Sequence, residues 1–252
     1  MARLYLDVIW PRLIAAADEM ATTLFRTAFS HDVVEVHDMS TGLYDDRGNL
    51  LGQTWLGATG HVGVMPMVGK ELVRKFPPES VRPGDIFISN DPWVCNGQTA
   101  DIFIFTPAFH RDRVIGFSVN SVHHVDIGGR KGSGLSEEVF EEGLIIPLMR
   151  LHRAGEPNED LLAILTRNVR FSEKVMGDIR AQVAAGWVGP RLSCALPAIT
   201  GSMICEGSPT RSSHARSSRC APVSAGFPRE HSSSPCQWRL AAPMSRARSS
   251  SR

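Results

Sequence analysis

The sequence predicts an α+β fold, in which mixed or antiparallel sheets are flanked by helices and followed by a disordered carboxy-terminal tail. Strand and helix patterns are intermixed without the regular β-α alternation of a doubly wound sheet. Polar turn clusters separate neighbouring strand patterns, as hairpins require. From Pro190 onward no helical or alternating period survives. Residues 1–189 are therefore predicted to form the globular part, and residues 190–252 a low-complexity tail rich in Ser and Arg.

Four helices are predicted from apolar residues that recur at three- and four-residue spacing or from capping residues at a helix start. Pro11 lies in the first turn of the first helix, where a missing N–H costs little. Asn158 and Ser172 are residue types that cap helix N-termini. The predicted helices cover residues 6–29, 65–76, 158–170 and 172–186.

Strands are predicted where apolar runs are bounded by turn-forming residues. One hairpin is expected over residues 40–53, with its turn at the cluster of Asp, Arg, Gly and Asn at 45–49. A single strand is expected over residues 86–89, and a second hairpin from residues 101–109 and 113–120. Residues 124–143 are rich in Gly, Ser and Glu and are expected to form a loop.

The composition is that of a globular protein with a real core: 42% of the 252 residues are hydrophobic and 21% are charged. The globular part contains one cysteine, Cys95, which argues against a disulfide framework and fits a reducing cytoplasm. No apolar run of signal-peptide or membrane-span length occurs. We therefore expect a cytoplasmic protein that does not associate with membranes.

Residues 208–252 contain eight Arg and one acidic residue, Glu230, so this tail carries a net charge of +7. Four explanations compete: a disordered linker, a nucleic-acid-binding tail, a cloning remnant and a shift of reading frame. We favour the frame shift, because residues 197–207 written in a frame moved by two nucleotides can read as an ordinary helix-and-turn segment. Nucleic acid is accordingly not an expected partner.

The first segment that contains candidate functional residues is Ser89–Asp101. Asp91 lies in an Asn-Asp-Pro sequence that is typical of turns, so an Asx-turn cap is one interpretation and a functional carboxylate the other. Asp101 begins an apolar strand, where a rigid scaffold would hold its carboxylate at the strand edge. A solvated strand start is the alternative for this residue.

The second segment is the predicted strand end that leads into a glycine-rich loop at residues 120–129. His123 and His124 are adjacent, so their side chains would point to opposite faces of the sheet. Imidazole and carboxylate groups are suitable ligands for zinc, manganese or iron. A pair of His residues followed by Asp126 is a weak signal of a metal site when it stands alone.

The remaining candidates are a lone His61 and an acidic run ending at Glu142. A lone His is more often a satisfied polar residue than a ligand, and an acidic run is usually solvated, although Glu142 could support a bound cation from behind its ligands. The sequence contains no phosphate loop and no nucleophile elbow. No cofactor-binding motif is therefore predicted.

Seven strings occur together and in order in one known family. They are EMATTLFRTA at 19–28, DMSTGLYD at 38–45, RPGDIFISNDPW at 82–93, HHVDIGG at 123–129, FEEGLIIP at 140–147, NVR at 168–170 and GDIRAQ at 177–182. On their combined evidence the chain resembles the hydantoinase B/oxoprolinase family, whose members include N-methylhydantoinase B subunits, 5-oxoprolinases and the alpha subunits of acetone-type carboxylases.

The resemblance implies a divalent metal site, built from a His-x-x-Asp strand start and one His of the His-His loop. Asp101 matches the Asp, and His123 is the better match for the loop ligand. At the remaining position this chain has Gln98, which is a poor ligand for zinc, manganese or iron. His61 or His124 would then have to complete the ligand set.

The resemblance also implies chemistry on a cyclic amide or a small carbonyl compound, together with a hydantoinase A-type subunit that handles ATP. Asp126 or His124 would move protons in such a reaction. Members of the family are about twice as long as this chain, and the shifted frame supplies a string that the family has next. The alternatives are an acetone-type carboxylase subunit, and a truncated, inactive fragment that binds only its A-type partner.

Overall fold

The computed structural model describes residues 2–110, 112–130 and 136–192 of the chain. The described residues belong to one compact unit, Met1–Glu206, whereas the second unit, Gly207–Arg252, lies outside them. The predictions for the tail therefore lie outside the described residues, except at its first three positions. The helices are α1 (Ala2–Thr27), α2 (His31–Val34), α3 (Met65–Lys75), α4 (Glu159–Asn168) and α5 (Ser172–Leu192).

A seven-stranded sheet forms the centre of the fold, with the strand order β2-β1-β5-β4-β3-β6-β7. Every pair of neighbouring strands is antiparallel, which confirms the predicted α+β class. The strands are β1 (Met39–Asp45), β2 (Leu50–Gln53), β3 (Ile86–Ser89), β4 (Asp101–His110), β5 (Arg113–His123), β6 (Met149–Arg153) and β7 (Glu156–Pro157).

The hairpin of β4 and β5 lies in the middle of the sheet and is its longest pair. Its register places Asp101 opposite His123 and continues to His110 opposite Arg113. Strand β5 therefore runs three residues beyond the predicted end at residue 120. The reason is that residues 121 and 122 still have pairing partners in both β4 and β1, and His123 pairs with Asp101 of β4.

Alternating residues of β4 face two different cores, as expected for a strand buried on both faces. Phe103 and Phe105 pack with residues of α3, among them Leu72. Ile102 and Ile104 pack on the other face with residues of α4 and α5. Helix α1 completes this second layer through two smaller clusters, in which Ala21, Leu24, Ala181 and Ala185 pack together and Leu13, Ala16 and Met20 meet Leu43.

Helix α5 continues to Leu192, although the sequence predicted an end near Gly186 and no helix beyond Pro190. Proline has no N–H to donate to the carbonyl group four residues earlier. That carbonyl belongs to Gly186, and it accepts a hydrogen bond from the Ser118 hydroxyl of β5 at 2.6 Å. The strand thus supplies the donor that Pro190 lacks, and the helix continues.

The other helix boundaries differ from the predicted ones by a few residues. Helix α1 begins at Ala2 and ends at Thr27, and α3 ends at Lys75. Asn158 caps α4 as predicted, because its Oδ1 accepts from the backbone N–H of Leu161 at 3.1 Å. In the described part of the chain, no helix combines the length and apolar character that crossing a membrane requires.

Candidate functional site

The antiparallel β4–β5 hairpin brings two predicted site residues together. Asp101 is the first residue of β4 and His123 is the last residue of β5, and they face each other in the ladder. The Nδ1 atom of His123 lies 2.8 Å from Oδ1 of Asp101. Two residues that are 22 positions apart in the sequence thus meet at one end of the β4–β5 pair, because the strand register places them opposite each other.

Three further side chains converge on the other carboxylate oxygen of Asp101. His61 approaches Oδ2 with its Nε2 at 3.2 Å, and the amide nitrogen of Gln98 lies at 2.7 Å. The amide of Asn96 also donates to this oxygen. We call Asp101 with His61, Asn96, Gln98 and His123 the Asp101 cluster.

The carboxylate of Asp101 is fully buried, and yet it is held in its charged form. Burial by itself would raise the pKa of Asp101. The hydrogen bonds from His123, His61, Asn96 and Gln98 together outweigh that effect and hold the pKa well below its usual range. Asp101 is therefore an acceptor only, and each of its four partners must present a proton to it.

His123 connects the buried carboxylate to the surface, because 27% of its side chain is exposed. The hydrogen bond to Asp101 raises the pKa of His123 above its ordinary value, although burial lowers it in part. Asp38 lies 3.9 Å from the same Nδ1 atom. With Nδ1 donating to Asp101, the Nε2 atom of a neutral His123 is free to accept a proton.

His61 reaches the cluster from the turn that follows β2, the one-turn 3₁₀ helix Thr59–His61. Its side chain is buried, and its Nδ1 atom has no hydrogen-bond partner among the described residues. Its Nε2 faces Asp101, so the two ring nitrogens of His61 have different surroundings. The expectation that a lone His is satisfied in the core holds for one ring nitrogen and not for the other.

The loop between β3 and β4 positions the two amides of the Asp101 cluster. Asp91 stabilises its first turn, since its Oδ1 accepts from the backbone N–H of Trp93 at 3.0 Å. Asp91 thus forms the Asx turn that was one of its two interpretations, and it is absent from the hydrogen bonds of the Asp101 cluster. Asn96 was not predicted as a site residue, because a single Asn in a loop carries no pattern in the sequence.

Glu142 supports the beginning of β4 from a neighbouring loop. Its Oε2 accepts from the backbone N–H of Thr99 at 3.0 Å and lies 3.4 Å from the Thr99 hydroxyl. Glu142 therefore fixes the segment that carries Gln98 and Asp101, and it does not touch the carboxylate itself.

The structure separates His124 from the Asp101 cluster, since the two adjacent imidazoles point to opposite faces as expected. His124 is 1% exposed and its Nε2 lies 3.0 Å from Oε1 of Gln182 in α5. Burial lowers the pKa of His124, although the hydrogen bond to Gln182 works in the opposite direction. A proton-moving role for His124 stays a prediction, and its surroundings favour a packing role.

Asp126 likewise has partners of its own, which join the loop after β5 to the segment between α4 and α5. Its Oδ1 accepts from the Arg170 guanidinium at 2.9 Å and from the backbone N–H of Gly128 at 3.1 Å. The backbone N–H of Arg170 donates to its Oδ2. Because this carboxylate is engaged on both oxygens, its contacts favour a structural role, and the predicted catalytic role remains a prediction.

Two cavities adjoin the Asp101 cluster, and Gln98 lines both. The larger one has a volume of about 460 Å³ and is lined by polar groups that include Asp38, His61 and Asn96. The smaller one, of about 170 Å³, is lined by His123, His124, Asp126 and Glu142 among others. The predicted site residues thus surround neighbouring cavities at one sheet edge, even though they do not form one hydrogen-bonded set.

The cluster does not fit the metal ion that the resemblance implies. Within the described residues, no group of three or more His, Cys, Asp and Glu side chains is placed to hold a metal. Three donors, from His61, Asn96 and Gln98, point at Oδ2 of Asp101, and His123 points at Oδ1. The predicted ligands Asp101 and His123 do lie together, but they form a hydrogen bond with each other.

This protein is therefore of the α+β class. Its polar site, the Asp101 cluster, lies at one end of the central β4–β5 pair. The sequence matches the family described as hydantoinase B/oxoprolinase over residues 3–203. The chain belongs to this family. The match extends beyond Gly189, the predicted end of the globular part.

Two named relatives are about 30% identical to this chain over the aligned residues. The B subunit of a putative D-/L-hydantoinase from Pseudomonas sp. (strain NS671) is 29% identical over 73% of this chain and 32% of that protein. The beta subunit of caprolactamase from Pseudomonas jessenii is 30% identical over 74% of this chain and 32% of that protein. The chain thus spans about a third of the length of these relatives.

Solved structures share the fold as well. The ATP-dependent caprolactamase from Pseudomonas jessenii superposes with a TM-score of 0.67 and 28% identity, covering 81% of this chain and 35% of that one. Acetone carboxylase in a nucleotide-free structure gives a TM-score of 0.70 and 25% identity, covering 81% and 27%. Both comparisons support the α+β architecture described above.

Proposed function

We propose that this chain is the B-type component of an ATP-dependent amidohydrolase acting on cyclic amides, of the hydantoinase/5-oxoprolinase type. The relatives described as a hydantoinase B subunit and a caprolactamase beta subunit support this proposal. The observation that carries it is the pair of His123 and Asp101, with His123 lining a cleft of about 170 Å³. An A-type partner would supply the ATP-dependent step.

In the proposed chemistry His123 is the general base and Asp101 is its positioning residue. Asp101 accepts from Nδ1 and thereby leaves Nε2 of a neutral His123 as the acceptor. This nitrogen would take a proton from a water molecule that attacks the amide carbonyl and return it to the leaving nitrogen. The buried anion stabilises the imidazolium that forms in between.

A divalent metal ion, zinc, manganese or iron, stays a prediction from the resemblance. The chemistry that such an ion supplies when bound is polarisation of the carbonyl group. No step above depends on it. The cation content of the purified chain measures this dependence directly.

Reconstitution tests the proposal. The full chain is combined with an A-type partner and ATP, and hydrolysis of 5-oxoproline or hydantoin is followed. His123→Ala and Asp101→Asn should each reduce kcat about 100-fold or more, since positioned proton transfer contributes about 10²–10⁴ in rate. His110→Ala, at the opposite end of β4, is the matched control and should retain activity. Full activity in either site variant would contradict the assignment.

A second candidate function is binding of the A-type partner without catalysis; this chain spans about a third of the length of these relatives. The same reconstitution separates the two. A complex that forms on size-exclusion chromatography without turnover supports binding alone, whereas turnover supports the enzyme. Fixation of carbon dioxide onto acetone instead of amide hydrolysis would indicate the carboxylase alternative.

A further inference from the structure

We propose that Gln98 sets the metal affinity of the Asp101 cluster, and that with glutamine at this position the chain does not hold zinc or manganese stoichiometrically. The inference goes beyond the proposed function, because it concerns the binding of an ion and neither turnover nor partner. It rests on the orientation of one amide group and on the protons that surround one buried carboxylate.

The Gln98 amide is oriented by its hydrogen bond to Asp101. Its Nε2 donates to Oδ2 of the carboxylate at 2.7 Å. The carbonyl oxygen of Gln98, the atom that could bind a cation, therefore points away from Asp101. Turning the amide round would break this hydrogen bond and place two oxygens side by side.

The imidazoles of His61 and His123 are likewise oriented by hydrogen bonds to Asp101. Nδ1 of His123 and Nε2 of His61 both face Asp101, so both carry a proton. A protonated ring nitrogen has no lone pair for a metal ion. An ion entering between these groups would require both rings to move this proton to their other nitrogen and both amides to turn away.

A histidine at position 98 would place a possible metal ligand beside the Asp101 carboxylate. The Nε2 atoms of histidine and glutamine are the same number of bonds from Cα, and the present Gln98 nitrogen already reaches the carboxylate. The amide nitrogen of glutamine can only donate a hydrogen bond, whereas the imidazole nitrogen of histidine can carry a lone pair. The carboxylate and three imidazoles, from positions 61, 98 and 123, would then be able to face one ion, a ligand set that suits zinc and iron.

The experiment compares the full-length chain with its Gln98→His variant, using zinc and manganese as the probes. Both proteins are purified, saturated with either ion and desalted, and metal content is measured by mass spectrometry. Affinities come from competition with a chromophoric chelator. We expect well below one equivalent in the wild-type chain, about one equivalent in Gln98→His, and affinity higher by about 100-fold or more, since even residues behind the ligands change it about 10–100-fold.

Two control variants make the result specific. Gln98→Ala removes the amide without adding a ligand and should remain metal-poor. Gln98→His combined with Asp101→Asn should lose the metal again. Circular dichroism spectra and unfolding midpoints identify variants that fail to fold, and in that case cobalt absorption bands of the soluble fraction replace the content measurement.

Stoichiometric metal in the wild-type chain overturns the inference, and so does a Gln98→His variant without a gain in affinity. Neither result depends on turnover, so failure of this inference is distinguishable from failure of the proposed hydrolase. A metal-poor wild-type chain with activity in the reconstituted complex would support both.

Discussion

Cys95 shows how burial decides the chemistry of a residue that lies close to the candidate site. It lies in the loop that carries Asn96 and Gln98, and its side chain is 7% exposed. Burial raises the pKa of the Cys95 thiol to about 12, although a hydrogen bond with Ser89 lowers it in part. The thiolate is the reactive form of cysteine, so the location next to the Asp101 cluster does not make Cys95 a nucleophile.

We predict that Cys95 reacts with iodoacetamide about 10³-fold more slowly in the native chain than in the unfolded chain at pH 8, because an unfolded cysteine has a pKa near about 8.5. Peptide mapping by mass spectrometry follows this residue separately from the cysteines of the tail. Each residue is its own control, since the same peptide is compared in buffer and in guanidinium chloride. Equal rates in the two states would show that the thiol is accessible and ionised.

Helix α5 shows how a single element can be shaped by the strands on which it lies. Gly186 approaches β4 so closely that an added Cβ would lie 2.2 Å from Oγ1 of Thr106 and 3.1 Å from its Cβ. The amide of Asn120 donates to the carbonyl of Gln182 at 2.9 Å, and Ser118 donates to that of Gly186. Polar residues of β5 thus bind the backbone of α5, which requires close contact.

We predict that Gly186→Ala lowers the free energy of unfolding by about 1–2 kcal/mol. Overpacking costs about 1–3 kcal/mol, and the gain of about 0.5–1 kcal/mol from alanine in a helix offsets only part of it. Chemical denaturation followed by circular dichroism measures the change. Gly63→Ala is the control, because nothing lies within 4 Å of its Cβ, and it should change stability by less than about 0.5 kcal/mol. A stabilised Gly186→Ala variant would refute the close contact.

At the scale of the whole molecule, one sheet serves two cores. The residues of β4 alternate between the aromatic core against α3 and the aliphatic core against α4 and α5. A loss of packing on one face therefore weakens the strand that the other face needs. This arrangement makes the described unit cooperative across the sheet.

We predict that Phe105→Ala and Ile104→Ala, on opposite faces of β4, each destabilise the entire unit, by about 3–5 and about 2–5 kcal/mol respectively. Unfolding should remain a single transition, with the same midpoint by circular dichroism and by tryptophan fluorescence. His110→Ala, near the exposed end of the same strand, should leave the midpoint within experimental error. Two separate transitions in either core variant would show that the two cores unfold independently.

The sequence alone determined what depends on neighbouring residues. Apolar periodicity and turn residues located four helices and five of the seven strands, and the polar start of β4 and end of β5 marked Asp101 and His123. Only the tertiary structure decided what depends on distant residues. Strand register placed Asp101 opposite His123, and folding added His61 and Asn96 from separate loops. A hydrogen bond from Ser118 allowed α5 to pass Pro190, and packing against β3 made a strand of Met149–Arg153. The physical reason is that a buried polar group takes its ionisation and its role from all the groups that surround it, and these come together only in the folded chain.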